Sequence, residues 1–133
     1  MKLKELVDIN IGLSLERKKA NNLSEAIYEY KMFSLRSFDK VAYLDQTTIE
    51  PFFAKEKINN QYFTEPNCVM VRLRAPVRAL SIYEDKSEIM ASSLIAKIRI
   101  IYPEILDSRY LAYFINSTCT QAQLMKNILN ANE

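Results

Sequence analysis

The sequence predicts an α+β fold in which an irregular, mostly antiparallel β-sheet is followed by a C-terminal α-helical hairpin. Apolar and polar residues alternate with a period of two in several segments of residues 1–101, a pattern typical of strands with one buried face. In residues 105–131 the apolar residues instead recur at helical spacing. A chain of 133 residues has the size of one domain, so we predict a single domain over residues 1–133, with β-helix-like winding of its strands.

Two strands are predicted in the first third of the chain. In residues 7–11, apolar side chains alternate with polar ones, which indicates a half-buried strand that ends at Gly12. Residues 27–35 are rich in residues that favour strands, and every second side chain from Tyr28 to Met32 falls on one face.

Two further segments alternate in the middle of the chain. In residues 69–74 the apolar side chains are predicted to lie on one face, with Met70, Arg72 and Arg74 on the opposite face. Residues 94–100 alternate in the same way and predict a second strand.

The C-terminal hairpin is predicted from two helical segments. The first begins after Asp107 or Ser108 as the N-cap residue, and the second covers approximately residues 120–130. We interpret the aromatic side chains of the first helix as part of the core rather than as a platform for stacking bases; they are Tyr110, Tyr113 and Phe114. The second helix places Ala122, Met125 and Leu129 along one stripe.

Composition argues against most catalytic and cofactor sites. Gly12 is the single glycine, which excludes glycine-rich phosphate loops, and the chain contains no histidine. We interpret Cys68 and Cys119 as reduced core thiols, and together they are too few for a structural zinc site. We therefore expect no metal ion and no cofactor.

One nuclease-like pattern occurs in the chain. Residues 84–86 read Glu-Asp-Lys, and Asp45 or Glu65 would be the upstream carboxylate of a metal-dependent nuclease. Such triplets arise by chance in chains rich in Glu and Lys, and this one lies in a predicted turn. We therefore predict no catalytic residues and no enzymatic activity.

Hydropathy and the N-terminal residues predict a cytoplasmic protein without a membrane partner. No apolar run approaches the length of a membrane span, and the N-terminal residues do not lead into a signal-peptide core.

The net charge is only +2, but residues 66–83 contain three arginines and no acidic residue. The distribution of charge is therefore more informative than its sum.

Three segments in the second half of the chain follow one another in an order that is typical of one protein family. Residues 69–78 read VMVRLRAPVR, residues 91–99 read ASSLIAKIR, and residues 106–117 read LDSRYLAYFINS. In this succession the chain resembles the target recognition domain of type I restriction–modification specificity subunits. The resemblance covers nearly the whole chain, although members of that family usually place Gly-Asp where this chain has Asn67 and Cys68. Since Asn tolerates a left-handed backbone, the turn is expected to form without the glycine.

The resemblance implies sequence-specific recognition of double-stranded DNA as the non-catalytic specificity component, with a DNA methyltransferase subunit as an expected partner. Arginine and lysine neutralise phosphates, and arginine also reaches base edges. The candidate DNA-binding residues are Arg17, Lys18, Lys19, Arg36, Arg72, Arg74 and Arg78. The alternative is that these residues belong to an ordinary solvated surface.

A second function from a different class also fits the sequence. In full-length members of that family the hairpin is followed by another strand and a long spacer helix, and this chain reaches neither before Glu133. The chain would then be an assembly domain that pairs with itself, as a homo-oligomer, or with a partner, with DNA binding weak or lost.

Overall fold

The computed structural model describes residues 5–12, 18–22, 24–39, 44–74, 76–82, 88–117 and 120. The strands are β1 (Val7–Ile11), β2 (Tyr28–Met32), β3 (Glu50–Ala54), β4 (Cys68–Arg72), β5 (Arg78–Ile82), β6 (Ile89–Met90) and β7 (Ile95–Ile100), and the helix is α1 (Ser108–Asn116). The predicted α+β class with mostly antiparallel strands is confirmed. The second predicted helix lies outside the described residues, apart from Thr120.

The larger sheet has four antiparallel strands in the order β1-β7-β4-β5. Val69 and Val71 of β4 face a core cluster that includes Leu111 and Ala112 of α1. This face confirms the predicted apolar side of the strand.

The opposite face of β4, which carries Met70 and Arg72 as the alternation predicts, is buried as well. Cys68 and Met70 are fully buried in a second core cluster with Phe33 and Phe38. The chain that follows β2 covers this side of the sheet, and β4 is therefore buried on both faces. Strand alternation alone does not show whether a second layer will cover the less apolar face.

The smaller sheet has the order β3-β2-β6, in which β2 pairs antiparallel with β3 and parallel with β6. The rings of Tyr28 and Tyr30 stack with their centroids 6.0 Å apart, which confirms that these alternate residues of β2 share a face. No alternation in the sequence predicted β3, β5 or β6.

Three local predictions are confirmed. Asp107 is the N-cap of α1, and its side chain accepts from the backbone N–H of Arg109 at 2.7 Å. Asn67 has φ of 62° in the turn before β4, and its side chain accepts from the Ser108 N–H at 3.1 Å. β1 ends at Ile11, directly before Gly12.

The aromatic face of α1 is exposed, so its assignment to the core is wrong. Tyr110, Tyr113 and Phe114 are 65%, 77% and 49% exposed, whereas Leu111 and Ala112 are buried. The helix packs on β5 and β4 through the Leu111 side, which turns the aromatic rings away from the sheet.

β1 also differs from the half-buried strand that the sequence predicts, because Ile9 and Ile11 are more than half exposed.

In the part of the chain that the structure describes, α1 has nine residues, and no helix has the length and apolar character needed to cross a membrane.

Candidate nucleic-acid interface

Arg72 is the best-anchored of the predicted DNA-binding residues. Its side chain is only 10% exposed at the end of β4. Nε donates to the Pro76 carbonyl at 3.1 Å, and Nη1 donates to the Leu35 carbonyl at 2.9 Å and to Asp39 Oδ1 at 3.3 Å. The guanidinium therefore joins the turn after β4 to the 3₁₀ helix Leu35–Phe38.

The same turn is anchored from its other side by α1. Asn116 accepts from the Ala79 N–H at 2.8 Å and donates through Nδ2 to the Ala79 carbonyl at 2.7 Å. Ala79 directly follows Arg78, which lies opposite Arg72 in the β4–β5 register. Two side chains from different elements thus hold the turn in place.

Three arginines surround this anchored turn. Arg74 and Arg36 are exposed, and Arg78 is partly buried. Arg36 belongs to the 3₁₀ helix whose Leu35 carbonyl accepts from Arg72. We call Arg36, Arg74 and Arg78 the arginine surface. The carboxylate of Asp39 contacts Arg72 beside this surface.

A second basic region lies beside β3. The N–H of Lys55 donates to the Lys18 carbonyl at 2.9 Å, and Lys19 forms an antiparallel bridge with Ala54. These bonds bring Lys18 and Lys19 next to two further exposed lysines, Lys55 and Lys57. We call these four residues the lysine surface.

One carboxylate partly neutralises the lysine surface. Lys18 Nζ lies 2.7 Å from Glu56 Oε1, and both side chains are partly exposed. The hydrogen bond and charge of Lys18 hold the pKa of Glu56 below its ordinary value. Arg17, which the sequence analysis placed with Lys18 and Lys19, lies outside the described residues.

The sequence analysis missed Lys55 and Lys57 as members of a basic surface. The available signal was the Lys-Glu-Lys run at residues 55–57, one residue after the aromatic pair Phe52 and Phe53. That run contains no information about which segment pairs with β3. Only the pairing with residues 18–20 joins the two groups of lysines.

No known family model matches this chain, and no curated protein matches it at a significant level.

The functional assignment therefore depends on side-chain geometry together with the sequence resemblance. The nuclease-like triplet at residues 84–86 lies outside the described residues. Within the described ranges, Glu65 pairs with Lys97, and no group of three or more His, Cys, Asp or Glu side chains is placed to hold a metal ion.

Lys97 forms a further polar feature that the sequence analysis missed. It was expected on the polar face of the strand, yet it is only 5% exposed in the interior of the larger sheet, beside Met70 of β4. Its Nζ lies 2.8 Å from Glu65 Oε1, and both residues line a cavity of about 290 Å³. A buried ammonium is retained where a carboxylate compensates its charge.

Proposed function

We propose that this chain recognises double-stranded DNA as the non-catalytic specificity component of a type I restriction–modification system. The observation that carries the proposal is the Arg72 anchor, which holds the turn bearing Arg74 and Arg78 beside Arg36. The sequence resemblance over residues 69–117 supports it. The expected cytoplasmic location, the absence of catalysis, the DNA methyltransferase partner and the β-helix-like winding belong to the same proposal.

In this proposal the arginine surface makes the specific contacts. An anchored turn presents guanidiniums at defined positions, so less conformational entropy is lost on binding than with a flexible loop. Arginine can then bind guanine O6 and N7 through two hydrogen bonds, or neutralise a phosphate. Arg74 and Arg36 are the exposed candidates for these contacts, and Arg78 contributes from the base of the turn.

Arg72 has a different role in the proposal. Its guanidinium already donates to Pro76, Leu35 and Asp39 and is almost buried, so we assign it as a positioning residue rather than a DNA contact. The lysine surface is assigned to the phosphate backbone, because an ammonium acts there as a point charge.

Fluorescence anisotropy with a labelled pool of random duplexes tests the proposal. Phosphate contacts release counterions, so affinity should fall steeply between about 50 and 200 mM salt. The double variant Arg74→Ala, Arg78→Ala should bind more weakly at each salt concentration. Arg99→Ala is the matched control, since Arg99 is also an exposed arginine but lies in register with Cys68, at the opposite end of β4 from Arg72. Absence of duplex binding by the unaltered chain at low salt would reject the proposal.

The exposed aromatic face of α1 favours assembly as a second candidate function. Tyr110, Tyr113 and Phe114 occupy neighbouring positions on one side of the helix, and Ile105 just before it is 56% exposed. Aromatic residues grouped on an exposed surface are typical of interaction sites. The partner would be a second copy of the chain or the DNA methyltransferase subunit.

Light scattering separates this candidate from the first. If the chain dimerises through α1, the double variant Tyr113→Asp, Phe114→Asp should be monomeric while its circular dichroism spectrum is unchanged. A chain that is already monomeric at high concentration would leave the methyltransferase subunit as the partner to test. Duplex binding that survives this double variant would show that the two surfaces act independently.

A further inference from the structure

We propose that the cavity beside Lys97 binds the base of a guanine nucleoside that is not paired with another base. The cavity has a volume of about 290 Å³, which is close to the lower end of the range for small-ligand sites. Its walls include Lys97, Glu65, Glu88, Asn60, Gln61 and Phe63. The inference does not depend on the proposed binding of duplex DNA.

The donors and acceptors of the cavity define the ligand. The ammonium of Lys97 has three N–H donors, and one of them reaches Glu65 Oε1 at 2.8 Å. The carboxylate of Glu65 is partly exposed and has two acceptor oxygens. An ammonium directly beside a carboxylate matches a ligand edge on which a carbonyl oxygen lies next to N–H groups.

Among the nucleic-acid bases, guanine is the one whose edge carries a carbonyl oxygen next to two N–H-bearing nitrogens. Its O6 would accept from Lys97, and its N1–H and N2–H groups would donate side by side to the oxygens of Glu65. Adenine, cytosine and thymine each offer a single N–H-bearing nitrogen on the same edge, so they would make one hydrogen bond to the carboxylate where guanine makes two. A charged group that recognises a base edge through two parallel hydrogen bonds discriminates strongly between bases.

The charge of the cavity excludes an anionic ligand group. Glu65 and Glu88 contribute two carboxylates, whereas Lys97 contributes one ammonium. A phosphate or carboxylate of the ligand would be repelled there, but a neutral base would not. The phosphate groups of a nucleotide would therefore lie outside the cavity.

The remaining wall residues suit a flat ring and its sugar. Phe63 is among the residues that line the cavity, and its buried ring packs 5.1 Å from that of Tyr30. Asn60 and Gln61 are exposed on the 3₁₀ helix Asn60–Tyr62 at the rim. Their amide groups can both donate to and accept from a ribose hydroxyl.

Isothermal titration calorimetry with free nucleosides tests the proposal. Guanosine should bind about tenfold more tightly than adenosine or cytidine, because a two-bond contact discriminates by that order. Inosine, which retains O6 and N1–H but has no 2-amino group, should bind about fivefold more weakly than guanosine, the effect of one hydrogen bond. Equal affinity for all four nucleosides, or no binding of guanosine at its solubility limit, would overturn the proposal.

Two variants and one control identify the site. Glu65→Gln replaces one acceptor oxygen with an amide donor at the same size, and it should abolish the preference for guanosine. Lys97→Met keeps the length of the side chain without the ammonium and should weaken guanosine and inosine alike. Glu104→Gln makes the same chemical change at an exposed turn and should leave binding unaltered. If Lys97→Met does not fold, Glu65→Gln alone decides, and unchanged guanosine binding by Glu65→Gln would overturn the proposal.

A competition experiment distinguishes a free nucleoside from a base that is extruded from DNA. A duplex in which one guanine faces an abasic site has that guanine unpaired, and its extrusion costs less than that of a paired base. Competition with guanosine by this duplex, but not by the fully paired duplex, would show that the cavity accepts an extruded guanine. Competition by neither would show that the ligand is the free nucleoside. Duplex affinity, measured by anisotropy in parallel, reports separately on the proposed function.

Discussion

Arg72 Nε donates to the carbonyl oxygen of Pro76 at 3.1 Å, so a side chain at the end of β4 closes the turn that follows it. The same guanidinium reaches the Leu35 carbonyl and Asp39. A buried guanidinium is tolerated where its charge and its donors find partners, and these three groups supply them. The contact makes Arg72 a structural support for Arg74 and Arg78.

Replacement of Arg72 by methionine should destabilise the fold. The variant leaves the carbonyl group of the partly buried Leu35 without its donor, and an unsatisfied buried group costs about 1–3 kcal/mol. We expect the free energy of unfolding in urea to fall by at least that amount. Arg99→Met, which removes an exposed ion pair with Asp8, should change it by about 0–1 kcal/mol. Equal stability of the two variants would contradict the role assigned to Arg72.

Alanine at Arg74 or Arg78 should weaken DNA binding. If the turn enters a groove, each substitution should cost on the order of 1–3 kcal/mol and relax preference at one base position. If the turn contacts only phosphate, the loss should be uniform across sequences, with a shallower dependence on salt. Sequencing of duplexes recovered from a random pool distinguishes these results. If both variants bind DNA with the affinity and sequence preference of the unaltered chain, the DNA contacts would be assigned to the lysine surface instead.

Alanine at Gly12 should destabilise the connection after β1. A Cβ atom there would lie 2.0 Å from the carbonyl oxygen of Ser92 and 2.6 Å from that of Ala91, so the backbone must move. Overpacking of this kind costs about 1–3 kcal/mol. Thermal unfolding measures the loss. Ser93→Ala is the control. Ser93 follows Ser92 in the turn before β7 and is exposed, so this variant should unfold like the parent.

Cys68 should resist alkylation in the folded protein. Burial raises the pKa of its thiol from 9.0 to about 11, so little thiolate is present near pH 8. In a Cys119→Ser background, iodoacetamide should therefore react with the unfolded chain much faster than with the native protein. Rapid alkylation under native conditions would show that Cys68 is accessible.

The same shift in pKa makes stability depend on pH in the alkaline range. The folded state disfavours the thiolate, so the stabilising contribution of Cys68 is complete below about pH 9, the ordinary pKa of the thiol. It is lost as the pH rises from there through about 11, the pKa in the folded protein. Cys68→Ala lacks this titration, so the difference in unfolding free energy between parent and variant should shrink over that interval. A constant difference would contradict the assignment.

The sequence by itself determined the features that depend on neighbouring residues. Asp107 caps α1 because its side chain reaches the N–H two residues later, and Asn67 adopts a left-handed backbone because its type allows it. The alternation of β4 and β7 correctly predicted which side chains share the face that packs against α1. Arg74 and Arg78 of the arginine surface were also identifiable, because both lie within two residues of Pro76 in the chain.

Only the tertiary structure decided what covers each face and which distant segments meet. The chain after β2 covers Met70, which made Arg72 an internal anchor rather than a solvent-facing arginine. The buried ammonium of Lys97 meets the carboxylate of Glu65, which stays partly exposed. α1 packs on the larger sheet through Leu111 and Ala112, which leaves its aromatic side exposed. A repeat of 2 or 3.6 residues in the pattern of apolar side chains indicates which residues share a face of a strand or helix. Burial also depends on contacts between residues far apart in the chain, and no local pattern contains those contacts.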